Sequence, residues 1–212
     1  MLKIWGRANS INVMKVLWVC EELGLPYERI DAGMQYGRLD TPEFGRMNPN
    51  RRVPTIEDPD SGGETFALSE SNTIVRYLAA REGSHDLLPA DLRRRADVER
   101  WMDWCSTSLA PPMTPLFWQL VRTPAEQRDT SVIGKSASEA ERCMRILEEV
   151  LGARDWLAGD AFTVADIPAG AFVHRWLHLP QIELPKLPAV VRYRERLLER
   201  PGYRKHVAVA LS

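Results

Sequence analysis

Apolar residues follow two regimes along this chain. Up to about residue 80, short apolar runs alternate with helical stripes; beyond about residue 92 only helical stripes occur. Leu2, Ile4 and Trp5 form a run too short for anything but a strand. Ile11, Val13, Met14, Val16, Leu17, Trp18, Val19, Cys20 and Leu23 then cover nearly the whole circumference of a helix over residues 11–23, which predicts burial on most sides. Gly24 supplies its C-cap and Pro26 prevents continuation. Residues 27–32 predict a second strand. A short helix is expected around Pro42, capped by Thr41. Residues 52–58 predict a third strand. It carries Pro54 near its start, so that residue belongs at an edge or a strand end. A turn over residues 58–63 and a return strand over 65–68 complete a hairpin. Ile74, Val75, Tyr77 and Leu78 mark the helix that closes this layer.

Residues 81–92, with Gly83, Ser84 and Pro89, read as a linker. Leu92, Ala96, Trp101, Met102, Cys105 and Leu109 predict a helix that stops at Pro111-Pro112. Thr123-Pro124-Ala125-Glu126 is a capping box with proline in its first turn, and predicts the start of the helix marked by Ile133, Ala140, Met144, Leu147 and Leu151. Thr163-Val164-Ala165-Asp166 is a second box, opening a helix through Leu177. Residues 187–198 form a further amphipathic helix, stopped by Pro201-Gly202. The chain thus divides into an α/β domain over residues 1–80, a linker over 81–92 and an all-α domain over 93–212.

The 212 residues suffice for two modest domains. A net charge of -1 gives no electrostatic reason to expect nucleic acid or an anionic membrane surface. No apolar run approaches the roughly 18 residues of a membrane span, and a strand beginning at residue 2 leaves no room for a signal peptide. Cys20, Cys105 and Cys143 are widely spaced, form no CxxC and lie in apolar helical patterns. They read as small buried hydrophobes in a reducing, cytoplasmic setting. His174 and His178, four apart, share a helix face, but no third ligand is evident and no metal is expected.

The candidate chemistry sits where the first strand meets the first helix. Ser10 places a hydroxyl at the helix mouth, where free backbone N–H groups and the positive end of the macrodipole favour an anion. Without a base beside it Ser10 is no strong nucleophile. It reads as a hydrogen-bond donor to an anion, with the side-chain N–H₂ of Asn12 as its rival.

The order strand-helix-strand, then strand-strand-helix with a proline at the third strand, resembles a thioredoxin fold. Ser10-Ile11-Asn12-Val13 stands where such a protein carries its CxxC, so a dithiol mechanism is lost. Three phrases carry a closer resemblance: Trp5-Gly6-Arg7 with Asn9 to Val13 and Lys15-Val16, Asn48-Pro49-Asn50, and Glu70-Ser71-Asn72-Thr73-Ile74-Val75-Arg76-Tyr77-Leu78. With the helical second domain, the whole chain is similar to a cytosolic glutathione transferase, a bacterial one with a serine/asparagine-type site. The fold this implies is an α/β thioredoxin-like N-terminal domain followed by an all-α helical bundle.

The resemblance implies glutathione as co-substrate. Its thiol must ionise to attack a small electrophile, possible targets including halogenated ones. Lowering a thiol pKa from near 8.5 by about two units takes roughly 2.7 kcal/mol. A hydrogen bond to the anion contributes about 1.5–3 kcal/mol and a helix mouth about 0.3–1, so Ser10, with Asn12 beside it, suffices without a general base. In the resembled fold Val53-Pro54 is a cis bond whose Val53 backbone pairs with the cysteinyl part of glutathione. Arg52 is placed to reach the glycyl carboxylate. Glu70 and Ser71 match the ammonium and carboxylate of the γ-glutamyl end. Arg51 stands where related sequences often show glycine, which leaves the local turn open. Met113, Trp118 and Ser106 are candidates for the second substrate, whereas Trp101, Trp104 and Trp176 read as packing. A homodimer is implied, with Arg76 pairing across a two-fold interface with Glu99 or Asp103. Glutathione-dependent disulfide or peroxide reduction, isomerisation, and a non-catalytic interaction protein on the same fold remain alternative functions.

Overall fold

The computed structural model describes residues 1–59 and 65–212. A four-stranded sheet has the order β2-β1-β3-β4, formed by β1 (Leu2–Trp5), β2 (Tyr27–Ile30), β3 (Thr55–Pro59) and β4 (Thr65–Ser69). β1 runs parallel to β2, with Leu2 opposite Tyr27, and antiparallel to β3, with Ile4 opposite Ile56. β3 and β4 pair antiparallel from Thr55–Ser69 to Pro59–Thr65; most of the turn expected between them, residues 60–63, lies outside the described residues.

Helix α1 (Ile11–Glu22) buries nearly every side chain, as its all-round apolar pattern requires. It ends in a Schellman arrangement: Leu25 N–H reaches Cys20 O at 2.8 Å and Gly24 N–H reaches Glu21 O at 3.2 Å, with Gly24 at φ 63°. Thr41 caps α2 (Pro42–Met47), accepting from Phe44 N–H at 3.2 Å. Helix α3 (Ser71–Arg81) completes this layer.

The helical layer comprises α4 (Leu92–Trp104), α5 (Ala110–Phe117), α6 (Thr130–Ala153), α7 (Asp166–Leu177), α8 (Pro188–Leu198) and α9 (Pro201–His206). Two boundaries depart from the expectation. Pro111-Pro112 does not end a helix. A π turn over Cys105–Leu109 carries the chain from α4 straight into α5, where the prolines occupy the first turn and their missing N–H groups cost nothing extra. Thr123 does not start the next helix either. A second π turn over Trp118–Arg122 ends there, Thr123 Oγ1 donates back to Trp118 O at 3.0 Å, and Asp129 caps α6 by accepting from Ser131 and Val132 N–H. An acidic oxygen at the true N-cap outcompetes the threonine six residues earlier. The Thr163–Asp166 box forms as expected. Asp166 Oδ2 accepts Thr163 N–H at 3.0 Å, Thr163 Oγ1 accepts Ala165 N–H at 3.3 Å, and Tyr193 and Leu157 N–H close on Asp166 Oδ1.

The two layers meet around α1. Trp18, fully buried, projects from α1 onto Tyr203 and Phe162, with ring centroids at 5.0 and 5.6 Å. A Cβ on Gly170 of α7 would come within 3.1 Å of Trp18, and one on Gly202 of α9 within 2.7 Å. Only glycine lets those helix backbones approach the indole this closely. Among the described residues no helix is long and apolar enough to cross a membrane.

Candidate active site

After β1 the chain turns tightly, tied to the end of β2 by Gly6 N–H to Ile30 O (2.8 Å) and Arg7 N–H to Ala32 O (3.2 Å). A Cβ on Gly6 would lie 2.4 Å from Val13 Cγ2, so this turn packs directly on α1. Ser10 is the N-cap of α1, with extended backbone at φ −83°, ψ 122°. Its carbonyl accepts Met14 N–H at 2.9 Å, yet its hydroxyl makes no capping bond. The residue at the helix mouth therefore carries a donor that its own helix does not use.

Asn12 lies in the first turn and is exposed. Its Oδ1 accepts from Lys15 Nζ at 3.0 Å and from Ser71 Oγ at 3.3 Å. An ammonium has no acceptor capacity, so the atom facing Lys15 must be the oxygen. Both lone pairs of that oxygen are engaged, which orients the N–H₂ group away from Lys15. Lys15 is itself buried among the apolar side chains of α1, and burial lowers its pKa to about 8.

Asn12 opens onto a pocket of about 100 Å³ shared with Arg52, Val53 and Pro54 on one side and Glu70 and Ser71 on the other. Val53-Pro54 is cis. The loop before it is held by buried Asn48, whose amide donates to Arg52 O at 2.9 Å and Thr55 Oγ1 at 3.0 Å, and whose Oδ1 accepts Asn50 N–H at 3.0 Å. Arg51 takes a left-handed backbone, φ 50°, and its guanidinium holds Leu39 O at 2.7 Å and Thr41 O at 3.0 Å. Those bonds to the α2 loop accompany a conformation that glycine adopts more cheaply. Glu70 is the N-cap of α3 at φ 69°, ψ 107°, a strained backbone of the kind that persists where surroundings enforce it, often at functional sites. Larger hollows exist, such as one of about 520 Å³ beside Trp5, Phe44 and Met47, but they lie away from both helix mouths.

Six of the seven residues singled out from sequence thus share one pocket. Ser10 is the exception: it stands one residue before α1, outside the residues that line this pocket. Two further residues of the site were missed, Asn48 in the pocket lining and Lys15 behind Asn12. Lys15 was signalled by a charge in the apolar middle of α1, whereas nothing in its local pattern distinguishes Asn48 from an ordinary turn asparagine.

The second-substrate candidates separate clearly. Met113 is fully buried in the core, contrary to expectation. Ser106, in that π turn, accepts from Asn72 of α3 at 3.0 Å. Trp118 is 43% exposed, enough to meet a ligand, and the Arg122 guanidinium lies 4.8 Å from its ring. Trp101 and Trp176 are buried packing residues. Arg76 pairs with Asp103 at 3.1 Å within the chain. His174 and His178 stack at 4.3 Å, and their bonds run to Val209 O and His174 O. Among the described residues no group of three His, Cys, Asp or Glu gathers to hold a metal ion. The three cysteines are buried and free; burial pushes the Cys20 and Cys105 thiols up to about 12.

Residues 1–80 match the model of the glutathione S-transferase N-terminal domain and residues 109–201 that of its C-terminal domain. The chain belongs to the glutathione S-transferase family. It is 40% identical to glutathione S-transferase GstB of Escherichia coli over 212 residues, covering all of both chains. It is 32% identical to the disulfide-bond oxidoreductase YfcG of the same organism, over 92% of this chain and 89% of that one. Among solved structures it resembles a theta class glutathione S-transferase from Xanthomonas axonopodis pv. citri with glutathione bound. That match has a TM-score of 0.93 and 39% identity, and covers 100% of this chain and 99% of that one.

Proposed function

We propose that this protein is a glutathione transferase in which the mouth of α1 holds the glutathione thiolate for attack on a small electrophile, halogenated arenes included. The observation that carries this reading is the orientation of Asn12. Its oxygen is occupied by Lys15 and Ser71, so its N–H₂ is free to donate into the pocket bounded by Val53-Pro54 and Glu70-Ser71. Asn12 is assigned as the principal donor to sulfur. Ser10 Oγ and the α1 macrodipole add to it. One hydrogen bond to an anion contributes about 1.5–3 kcal/mol, so together these cover the roughly 2.7 kcal/mol needed to lower a thiol pKa by about two units. Lys15 stands behind Asn12 as a buried positive charge of the sign that favours a thiolate. No general base is required.

The rest of the pocket supplies the tripeptide's cradle. Val53 presents backbone groups to the cysteinyl unit, Arg52 pairs with the glycyl carboxylate, and Glu70 and Ser71 take the γ-glutamyl ammonium and carboxylate at the mouth of α3. The protein acts as a cytoplasmic homodimer in this reading, consistent with three free buried cysteines.

A second reading, glutathione-dependent disulfide reduction, is favoured by the 32% identity to a disulfide-bond oxidoreductase. With Ser10 in place of a site cysteine and the chain's own thiols buried, the exchanging thiol would be that of glutathione. Retention on immobilised glutathione, followed by turnover of 1-chloro-2,4-dinitrobenzene and of a small mixed disulfide, tests both. Retention with arene conjugation supports the transferase; retention with disulfide turnover alone supports the reductase. Absence of retention and of both activities returns the chain to a non-catalytic interaction role.

A further inference from the structure

Three arginines from three separate elements converge beside Ser10. Arg7 follows β1, Arg122 ends the second π turn and Arg175 lies on α7. Arg122 Nη2 and Arg175 Nη2 both donate to the carbonyl of Asn9, at 3.3 and 3.5 Å, and Arg122 Nη2 also donates to Ser212 O at 2.9 Å. Arg175 stacks on Phe117 at 3.7 Å, and Arg122 faces Phe117 and Trp118 at 5.1 and 4.8 Å. Arg7 comes close to Gly33, and its Nε is buried without a partner.

Among the described residues none of the three forms an ion pair with an aspartate or glutamate, although this chain pairs arginines with acids at many other places. Half-buried guanidinium groups that repel one another with no aspartate or glutamate beside them are costly, and although Ser212 O already meets Arg122, a further anion lowers that cost. Burial, together with the neighbouring Arg122 and Arg7 charges, depresses the Arg175 pKa to about 9. The mouth of this cluster also carries apolar surface. Met34 and Trp118 are both exposed, and Arg122 Nη1 touches the Met34 sulfur at 3.6 Å.

We infer that Arg7 and Arg122 form a carboxylate-binding subsite for the second substrate, with Arg175 behind them adding positive potential, so that the preferred electrophile is an aromatic or aliphatic acid. This rests on the transferase reading of the Ser10–Asn12 site and specifies its substrate class. The apolar body of such a substrate lies on Trp118 and Met34 while its carboxylate meets the guanidinium pair. In the reaction a C–S bond forms between the glutathione thiolate and the electrophilic carbon. The bond to the leaving group breaks, and the group departs with the electron pair, for example as chloride. Oxidised glutathione is the other source of the same chemistry, since its second half also carries carboxylates.

The test compares molecules that differ only in charge. Calorimetric titration with 3-nitrobenzoate and 3-nitrobenzamide, neither of which reacts, reads the subsite without turnover. Initial rates with 4-chloro-3-nitrobenzoate and 4-chloro-3-nitrobenzamide read it in catalysis. The expected result is at least tenfold tighter binding of the benzoate, falling with ionic strength, and a similar ratio in kcat/KM. In Arg122→Gln, and independently in Arg7→Gln, both ratios fall toward one; these partly exposed sites are chosen because Arg175→Met risks the fold. If only oxidised glutathione loses affinity in these variants, the subsite holds and its carboxylate belongs to a disulfide. Arginine-dependent benzoate binding without any turnover supports the subsite and overturns the transferase reading. Turnover of both arenes at equal efficiency, unchanged in both variants, overturns the subsite.

Discussion

At the scale of single residues, the account turns on which way Asn12 faces. Lysine can only donate, so the 3.0 Å contact with Lys15 fixes the amide, and the Ser71 hydroxyl, which can donate or accept, fits that orientation as a donor. Replacing Lys15 with methionine removes that constraint and a buried positive charge together. We expect Lys15→Met to raise the pKa of bound glutathione by about one unit, or about 1.4 kcal/mol, as read by thiolate absorbance against pH. No change would mean that Asn12 holds its orientation through Ser71 alone. In the proposed binding mode Glu70 meets the other end of glutathione. Glu70→Gln is expected to weaken glutathione binding by about tenfold or more in a calorimetric titration while leaving the thiol pKa nearly unmoved; the reverse pattern would put Glu70 at the sulfur. Most of this site was legible because short motifs carry its residues: Val53-Pro54 before a strand, Glu70-Ser71 before a helix. Lys15 and Asn48 were harder to see. Their roles arise from contacts across loops that no spacing rule encodes, and a buried lysine runs against the patterning that made α1 recognisable.

At the scale of elements, the strands and the cap residues Thr41 and Asp166 follow local chemistry, so the sequence predicts them well. The two helix boundaries that it misplaced both follow a π turn. After the first, Pro111-Pro112 sit in the first turn of α5 instead of ending a helix; after the second, Asp129 rather than Thr123 caps the next helix. The π turns at Cys105–Leu109 and Trp118–Arg122 depend on tertiary contacts of Ser106 and Arg122, which lie outside any local window. Helix α7 supplies a pH-dependent test. His174 is buried among Arg175, His178 and Arg194, and its pKa is lowered from 6.5 to about 4, chiefly by burial. A depressed folded-state pKa contributes stability that is present above pH 6.5 and is lost as pH falls through the folded value near 4. The wild type should therefore lose up to about 3 kcal/mol relative to His174→Gln between those limits, measured by urea unfolding at several pH values. Parallel stability curves for the two proteins would place His174 in a solvated, ordinary environment.

At the scale of the whole molecule, Trp18 links the sheet layer to the helices. Its indole lies against Tyr203 and Phe162 and fits beneath Gly170 and Gly202. Its Nε1 donates to Glu22 at 2.7 Å, and Glu22 in turn holds Arg200 through two bonds. The helix that carries Ser10 and Asn12 is thus the same helix that anchors the second domain. Trp18→Ala should cost about 3–5 kcal/mol, as for a fully buried aromatic. The wild type should unfold in one calorimetric transition that becomes two, or shifts strongly down, in the variant. A wild type that already shows two independent transitions would contradict this coupling. The division into an α/β layer and a helical layer could be read from the change in hydrophobic period near residue 80. The interlock could not, because a tryptophan on an all-apolar helix looks the same whichever layer it faces.

The central claim is that the mouth of α1 stabilises a glutathione thiolate through Asn12, with Ser10 in support. The most direct test is the spectrophotometric titration of bound glutathione in the wild type, Asn12→Ala and Ser10→Ala. The account predicts a bound thiol pKa about two units below 8.5 in the wild type, raised by one unit or more in Asn12→Ala and by less in Ser10→Ala. A wild-type value near 8.5, or a pKa that moves in Ser10→Ala and stays fixed in Asn12→Ala, would contradict it.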